Sequence, residues 1–189
     1  QVAREQGTDP ARTYVAGISA GGAMAVILAA NYPEMFAGVA SASGIALGAA
    51  TSVMGALAAM AGNAPEPPPV APRMRPRRAL PMPLLVMQGM RDKSVSPRNA
   101  HQLLEQWLGM PLPAPASTER GTVAGAGGYH WWHDRLPATA TTPRVEALWV
   151  EELGHAWSGG SAAGSFTDPL GPDATAVMLR FFASVGSGR

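Results

Sequence analysis

Ser19 is the residue whose setting most clearly suits chemistry. It stands at the centre of Gly17-Ile18-Ser19-Ala20-Gly21, a G-x-S-x-G pentapeptide, with Gly22 directly after it. A serine hydroxyl is a weak nucleophile near neutral pH. A base must take its proton, and an acid must hold that base in one tautomer. Small flanking residues suit a serine held in a strained turn, because side chains there would collide with the adjoining strand or helix. In a chain with 22 glycines the pentapeptide alone is weak evidence, so its surroundings have to decide.

The base must be a histidine on a later loop, and the chain has four: His101, His130, His133 and His155. His101 falls inside a helical stretch that starts at Ser96-Pro97. His155 lies in Gly154-His155-Ala156-Trp157-Ser158-Gly159-Gly160, a flexible segment just past the β-rich run Val145–Glu152, and is the better base. Of the five aspartates, only Asp92 and Asp134 fall between Ser19 and His155, the chain order serine, acid, histidine found in the fold that carries a G-x-S-x-G strand-to-helix elbow. Asp92 follows the apolar run Leu84–Gln88, at a strand end. Asp134 lies in a hairpin-like segment and is the poorer choice. His130-Trp131-Trp132-His133-Asp134 does not read as a metal site. On a strand, His130 and His133 point to opposite faces, and no further ligand cluster completes a shell.

Elements of the right kind surround these residues. Thr13–Gly17 reads as a buried strand leading into the pentapeptide, and Ala20–Asn31 as a helix stopped by Tyr32-Pro33. Phe36–Ser43 and Leu84–Gln88 are two more buried strands. A helix runs from Pro97, a favoured first position, to about Leu108. Tyr129–Asp134 and Val145–Glu152 follow as strands and Pro172–Ser184 as an amphipathic helix. Eight prolines between Pro65 and Pro83 make that stretch a loop, and Met110–Gly128 reads as another. Strands alternating with helices imply a mostly parallel sheet with helices on both faces, whose reactive groups sit at the carboxyl ends of the strands. Ser19, Asp92 and His155 all meet that condition.

Composition narrows the class. The 189 residues are 47% hydrophobic and 14% charged, with net charge +1. That is enough apolar material for one core-bearing domain, and a single domain over 1–189 is expected. The scattered cations give no footprint for nucleic acid. The absence of cysteine rules out disulfides and thiolate catalysis. Met35 to Ala64 carries no charge, yet it is rich in Ala, Gly and Ser and reads as a strand followed by a loop or helix rather than a membrane span.

Three blocks carry a family resemblance: Asp9-Pro10-Ala11-Arg12-Thr13-Tyr14-Val15-Ala16-Gly17-Ile18-Ser19-Ala20-Gly21-Gly22-Ala23-Met24-Ala25, the segment from Gly89 to Val95, and Gly154 to Gly160 continuing to Thr167-Asp168-Pro169 and Gly171-Pro172-Asp173-Ala174. With them the chain resembles the polyhydroxybutyrate-depolymerase-like esterases, a branch of the α/β hydrolases that is also similar to feruloyl and acetyl-xylan esterases. The resemblance implies Ser19 as nucleophile, Asp92 as acid, His155 as base and the backbone N–H of Ala20 as an oxyanion donor. Trp157, beside the base, is then expected to touch substrate. It further implies hydrolysis of small or polymeric esters without metal or cofactor, and an extracellular or periplasmic setting. The family often has His-Gly where this chain has Gln88-Gly89.

Only 18 residues precede Ser19, whereas the fold places several strands and the second oxyanion donor upstream of the elbow. The expectation is therefore an incomplete α/β-hydrolase domain, with its N-terminal strands and that donor outside this chain. Rival readings keep the triad for a peptidase or acyltransferase, or make the chain a non-catalytic ester or polymer binder acting through Trp131, Trp132 and Trp157.

Overall fold

The structure is a computed structural model that describes residues 5–63, 65, 82–139 and 142–186. The expected loop at Pro65–Pro83 lies outside the described residues except at 65, 82 and 83.

Each apolar run expected as a buried strand forms a strand: β1 (Tyr14–Ile18), β2 (Gly38–Ala42), β3 (Leu84–Gly89) and, later in the chain, β6 (Val145–Val150), although β1 is not buried as expected. They pair in parallel in the order β1-β2-β3-β6. Every residue of β2, β3 and β6 is buried, as strands covered on both faces require. The alternation along β3 shows how. Leu84 and Val86 turn toward a core with Val26, Val39, Leu103, Leu104 and Trp107. Leu85 and Met87 turn toward Leu148, Val150, Phe181 and Phe182 on the other face. The helices α1 (Ala20–Asn31) and α3 (Arg98–Leu108) supply the first layer, and α4 (Ala174–Gly186) the second. β1 is the sheet edge among the described residues, and its five positions are only partly buried or exposed.

The uncharged stretch from Met35 to Ala64 holds β2 and a short helix, α2 (Val53–Met60), started by Ser52, whose hydroxyl accepts from the Gly55 N–H at 3.1 Å. No described helix is long and apolar enough to cross a membrane. One expectation needs correcting. Met110–Gly128 is not all loop, because Ser117–Thr122 forms β4, antiparallel to β5 (His130–Arg135), which in turn pairs antiparallel with β6. Ser-Thr-Glu-Arg-Gly-Thr has no apolar alternation to betray it. The strand exists because β5 offers a ladder and cross-strand partners such as Asp134, whose Oδ1 accepts from the Thr118 hydroxyl at 2.6 Å.

Where β5 meets β6, Glu146 is buried at 2% exposure. Arg144 Nε donates to its Oε1 at 2.6 Å, and His133 Nε2 approaches Oε2 at 2.8 Å without the alignment of a full hydrogen bond. Burial alone would push the Glu146 carboxyl up, but His133 and Arg144 together outweigh it and hold the pKa below the ordinary value. A depressed folded-state pKa adds stability above the unfolded-state pKa, and that stability is lost as pH falls through the folded value. Arg144 is 41% exposed, so the lower part of the range for a broken buried pair applies. Glu146→Ala is expected to cost about 3 kcal/mol at pH 7, and the gap from wild type should close toward acid pH. Urea denaturation of both proteins across pH checks this, and a gap that widens on acidification would contradict it.

Candidate active site

The chain enters the elbow along β1 and leaves it along α1, with Ser19 as the joint. Ser19 has φ 57° and ψ −123°, one of two non-glycine residues with positive φ among those described. Such a conformation costs on the order of 1–3 kcal/mol and persists only where the surroundings enforce it. They do so here through the Ser19 N–H, which donates to the Ala42 carbonyl at 2.8 Å, and through Gly17, where a Cβ would run into the Gly21 backbone. A Cβ at Gly22 would come within 2.9 Å of the Ala42 carbonyl. The expectation that both flanks need clearance is half right, since a Cβ at Gly21 meets nothing within 4 Å. Ala20 opens α1, so its N–H has no intrahelical partner and lies at the positive end of the helix dipole, beside the serine.

Parallel pairing puts the carboxyl ends of β1, β3 and β6 along one edge of the sheet. Asp92 lies in the turn after β3, with its side chain fully buried. Its Oδ1 accepts from the Ser94 N–H at 2.9 Å and the Val95 N–H at 2.8 Å. Those two bonds pin Oδ1 and leave Oδ2 facing the next loop. There His155 places Nδ1 2.8 Å from Asp92 Oδ2. The His155 loop can come this close because the residue below it is Gly89, where a Cβ would run into the Leu153 and Gly154 carbonyls. The Arg91 N–H donates to the Leu153 carbonyl at 3.0 Å and locks the acid turn to the histidine loop. With Nδ1–H given to Asp92, Nε2 is the free acceptor. Among the described hydrogen bonds none runs from the Ser19 hydroxyl to the imidazole. Such bonds are often long before substrate arrives.

The structure thus brings Asp92 and His155 together and does not do so for Asp134. Asp134 sits within β5, opposite Ala147, and its Oδ2 accepts from Trp149 Nε1 at 2.9 Å. His101 is exposed on α3 and stacks on Trp149 with ring centroids 4.8 Å apart. His130 is exposed and His133 buried, on opposite faces as the strand period requires. Trp157, expected against substrate, has its indole turned to α4, where Nε1 donates to Thr175 Oγ1 at 3.0 Å. Ser158 Oγ donates to the Pro172 carbonyl at 2.8 Å, and the Tyr129 hydroxyl donates to Asp168 at 2.9 Å. The block after His155 therefore anchors the histidine loop, a role that no local pattern announces because every partner is distant in sequence.

One group of described residues has ligand atoms close enough to share a cation. His130, Glu151 and Glu152 lie within 4.8 Å of one another. Glu152 is already engaged, accepting from the His130 N–H at 2.8 Å and meeting Nδ1 at 2.6 Å. The hydrogen bond to Glu152 raises the His130 pKa and lowers that of Glu152, so an ion pair accounts for the arrangement.

The sheet order, the strained serine between β1 and α1 and the strand-end loops define an α/β-hydrolase fold. Residues 1–122 match the family described as Esterase PHB depolymerase, and the chain belongs to that family. It is 30% identical over 152 residues to poly(3-hydroxyalkanoate) depolymerase C of Paucimonas lemoignei, covering 78% of this chain and 36% of that protein. Among solved structures, acetyl xylan esterase from Aspergillus awamori matches with TM-score 0.66 at 18% identity, covering 96% of this chain and 63% of that one. A PHB depolymerase complexed with an R3HB trimer matches with TM-score 0.64 at 14% identity, over 92% of this chain and 52% of that one. The chain thus spans about a third of the length of the bacterial depolymerase.

Proposed function

We propose that this chain is the triad-bearing part of a serine carboxylic-ester hydrolase acting on short-chain hydroxyalkanoate esters. The observation that carries the reading is the 2.8 Å contact between His155 Nδ1 and the buried Asp92 carboxylate, on the same sheet edge as the strained Ser19. In the proposed reaction Ser19 Oγ attacks the ester carbonyl while its proton passes to His155 Nε2. The negative charge that gathers on the carbonyl oxygen is met by the Ala20 N–H. Collapse of the tetrahedral species breaks the ester C–O bond, and His155 returns the proton to the departing alkoxide. A water then attacks the acyl-Ser19 ester, giving its proton to His155, and the carboxylic acid leaves with Ser19 restored. Asp92 steadies the imidazolium formed in each half. A second oxyanion donor, worth on the order of 3 kcal/mol in the barrier, belongs to this scheme and would come from outside the residues placed here.

The depolymerase relative favours hydroxyalkanoate esters. The acetyl xylan esterase similarity makes short acetyl esters of a polysaccharide the second reading. An extracellular or periplasmic setting is part of the proposal, by the family resemblance. p-Nitrophenyl esters of graded chain length, offered to the full-length protein beside a poly(3-hydroxybutyrate) suspension and acetylated xylan, decide between these. We expect kcat/KM highest on butyrate-length esters with soluble hydroxy acids released from the polyester. Acetate released from xylan without action on the polyester would move the assignment to the second reading.

A further inference from the structure

We propose that Gln88 is a positioning residue of this site, holding the acid turn so that Asp92 presents Oδ2 to His155; the inference rests on the reading above. Gln88 is the penultimate residue of β3 and is 2% exposed. Its Nε2 lies 3.0 Å from the Gly89 carbonyl, 3.3 Å from the Val95 carbonyl and 3.5 Å from Asp92 Oδ2. Two amide protons thus serve three acceptors, all of them in the turn that runs from β3 to Val95. The opposite amide orientation would turn the Gln88 oxygen toward a carboxylate and two carbonyls with no proton between them, so the network allows only the nitrogen there. Asp92 Oδ1 is saturated by two backbone N–H groups. On Oδ2, Gln88 and His155 are the two side-chain donors among the described residues.

Stability alone does not explain this residue. Gln88 Oε1 is buried without a partner, which carries an uncompensated desolvation cost. Leucine would fill the same space, as it does twice earlier in β3, and would leave no orphan oxygen. What leucine would lack is the tie between Asp92 and the Val95 carbonyl. Without that tie the carboxylate can swing about its two Oδ1 bonds, and the imidazole swings with it. Loss of alignment in a group that acts during bond-making lowers kcat rather than weakening substrate binding.

The test uses the full-length protein with Gln88→Leu and Gln88→His, the second restoring an N–H donor. Steady-state kinetics, thermal unfolding and the low-field proton resonance of His155 Nδ1–H are read in each. Gln88→Leu should lower kcat roughly 10- to 100-fold, the scale of an ångström-level misalignment, with KM unchanged and the unfolding midpoint level or raised. The resonance should broaden or move upfield. Gln88→His should recover most of the kcat and the resonance. Wild-type kcat and an unmoved resonance in Gln88→Leu would overturn the inference. So would a loss of activity that tracks a lowered unfolding midpoint and disappears on cooling. A wild-type protein without esterase activity would instead defeat the reading of Ser19, and the resonance would still report whether Gln88 holds Asp92 against His155.

Discussion

Ser19→Ala in the full-length protein is expected to lower kcat for ester hydrolysis by roughly 10⁵- to 10⁶-fold, the scale seen when a serine nucleophile is removed from an intact triad. The fold should barely notice. Among the described residues the Ser19 side chain makes no hydrogen bond to the His155–Asp92 pair. Its strained backbone is held by its own N–H bond to Ala42 and by the absence of a Cβ at Gly17, neither of which alanine disturbs. Alanine and serine both carry a Cβ, so the positive φ costs each about the same. The unfolding midpoint should therefore stay within about 4 °C, corresponding to less than ~1 kcal/mol in a domain of this size. Steady-state kinetics with circular-dichroism melting read both quantities. Turnover within tenfold of wild type would remove Ser19 from the mechanism, whatever the motif around it.

The second large effect concerns the acid and its alternative. Asp92→Asn should cost roughly 10⁴-fold in kcat, because an asparagine can no longer hold the tautomer that leaves Nε2 free. The same change at Asp134 should leave kcat within a few-fold, since Asp134 is committed to Trp149 and Thr118 on β5. Its cost should appear in stability instead, at about 1 kcal/mol for a disturbed hydrogen bond. His155→Ala combined with Ser19→Ala should be no worse than Ser19→Ala alone, because the three residues act as a unit. If Asp134→Asn proved the more damaging to kcat, the pairing of Asp92 with His155 would not be the catalytic one.

These residues were open to prediction because each is marked locally. Ser19 carries its glycines with it, and Asp92 and His155 each follow an apolar run that ends in a loop. The parallel core was legible for the same reason: β2, β3 and β6 are apolar or small except at Gln88 and Glu146, as suits strands covered on both faces. What the sequence hid depends on distant partners. β4 owes its existence to β5 and has no pattern of its own. Trp157 was expected to touch substrate, and its tie to Thr175, eighteen positions on, which takes the indole N–H, has no local signal. Gln88 was visible only as a departure from a familial His-Gly. Its contacts to Asp92 and Val95 arise from a turn whose shape a linear reading does not give. Gly21 shows the converse, a motif glycine whose neighbourhood is open.

The claim that everything else depends on is that Ser19 is an activated nucleophile. Incubation of the full-length protein with a fluorophosphonate, followed by proteolysis and mass spectrometry, tests it most directly. One phosphonyl adduct is expected, on Ser19, forming in step with loss of esterase activity and strongly slowed by His155→Ala. An adduct on another residue, or an active protein that takes no label, would contradict it.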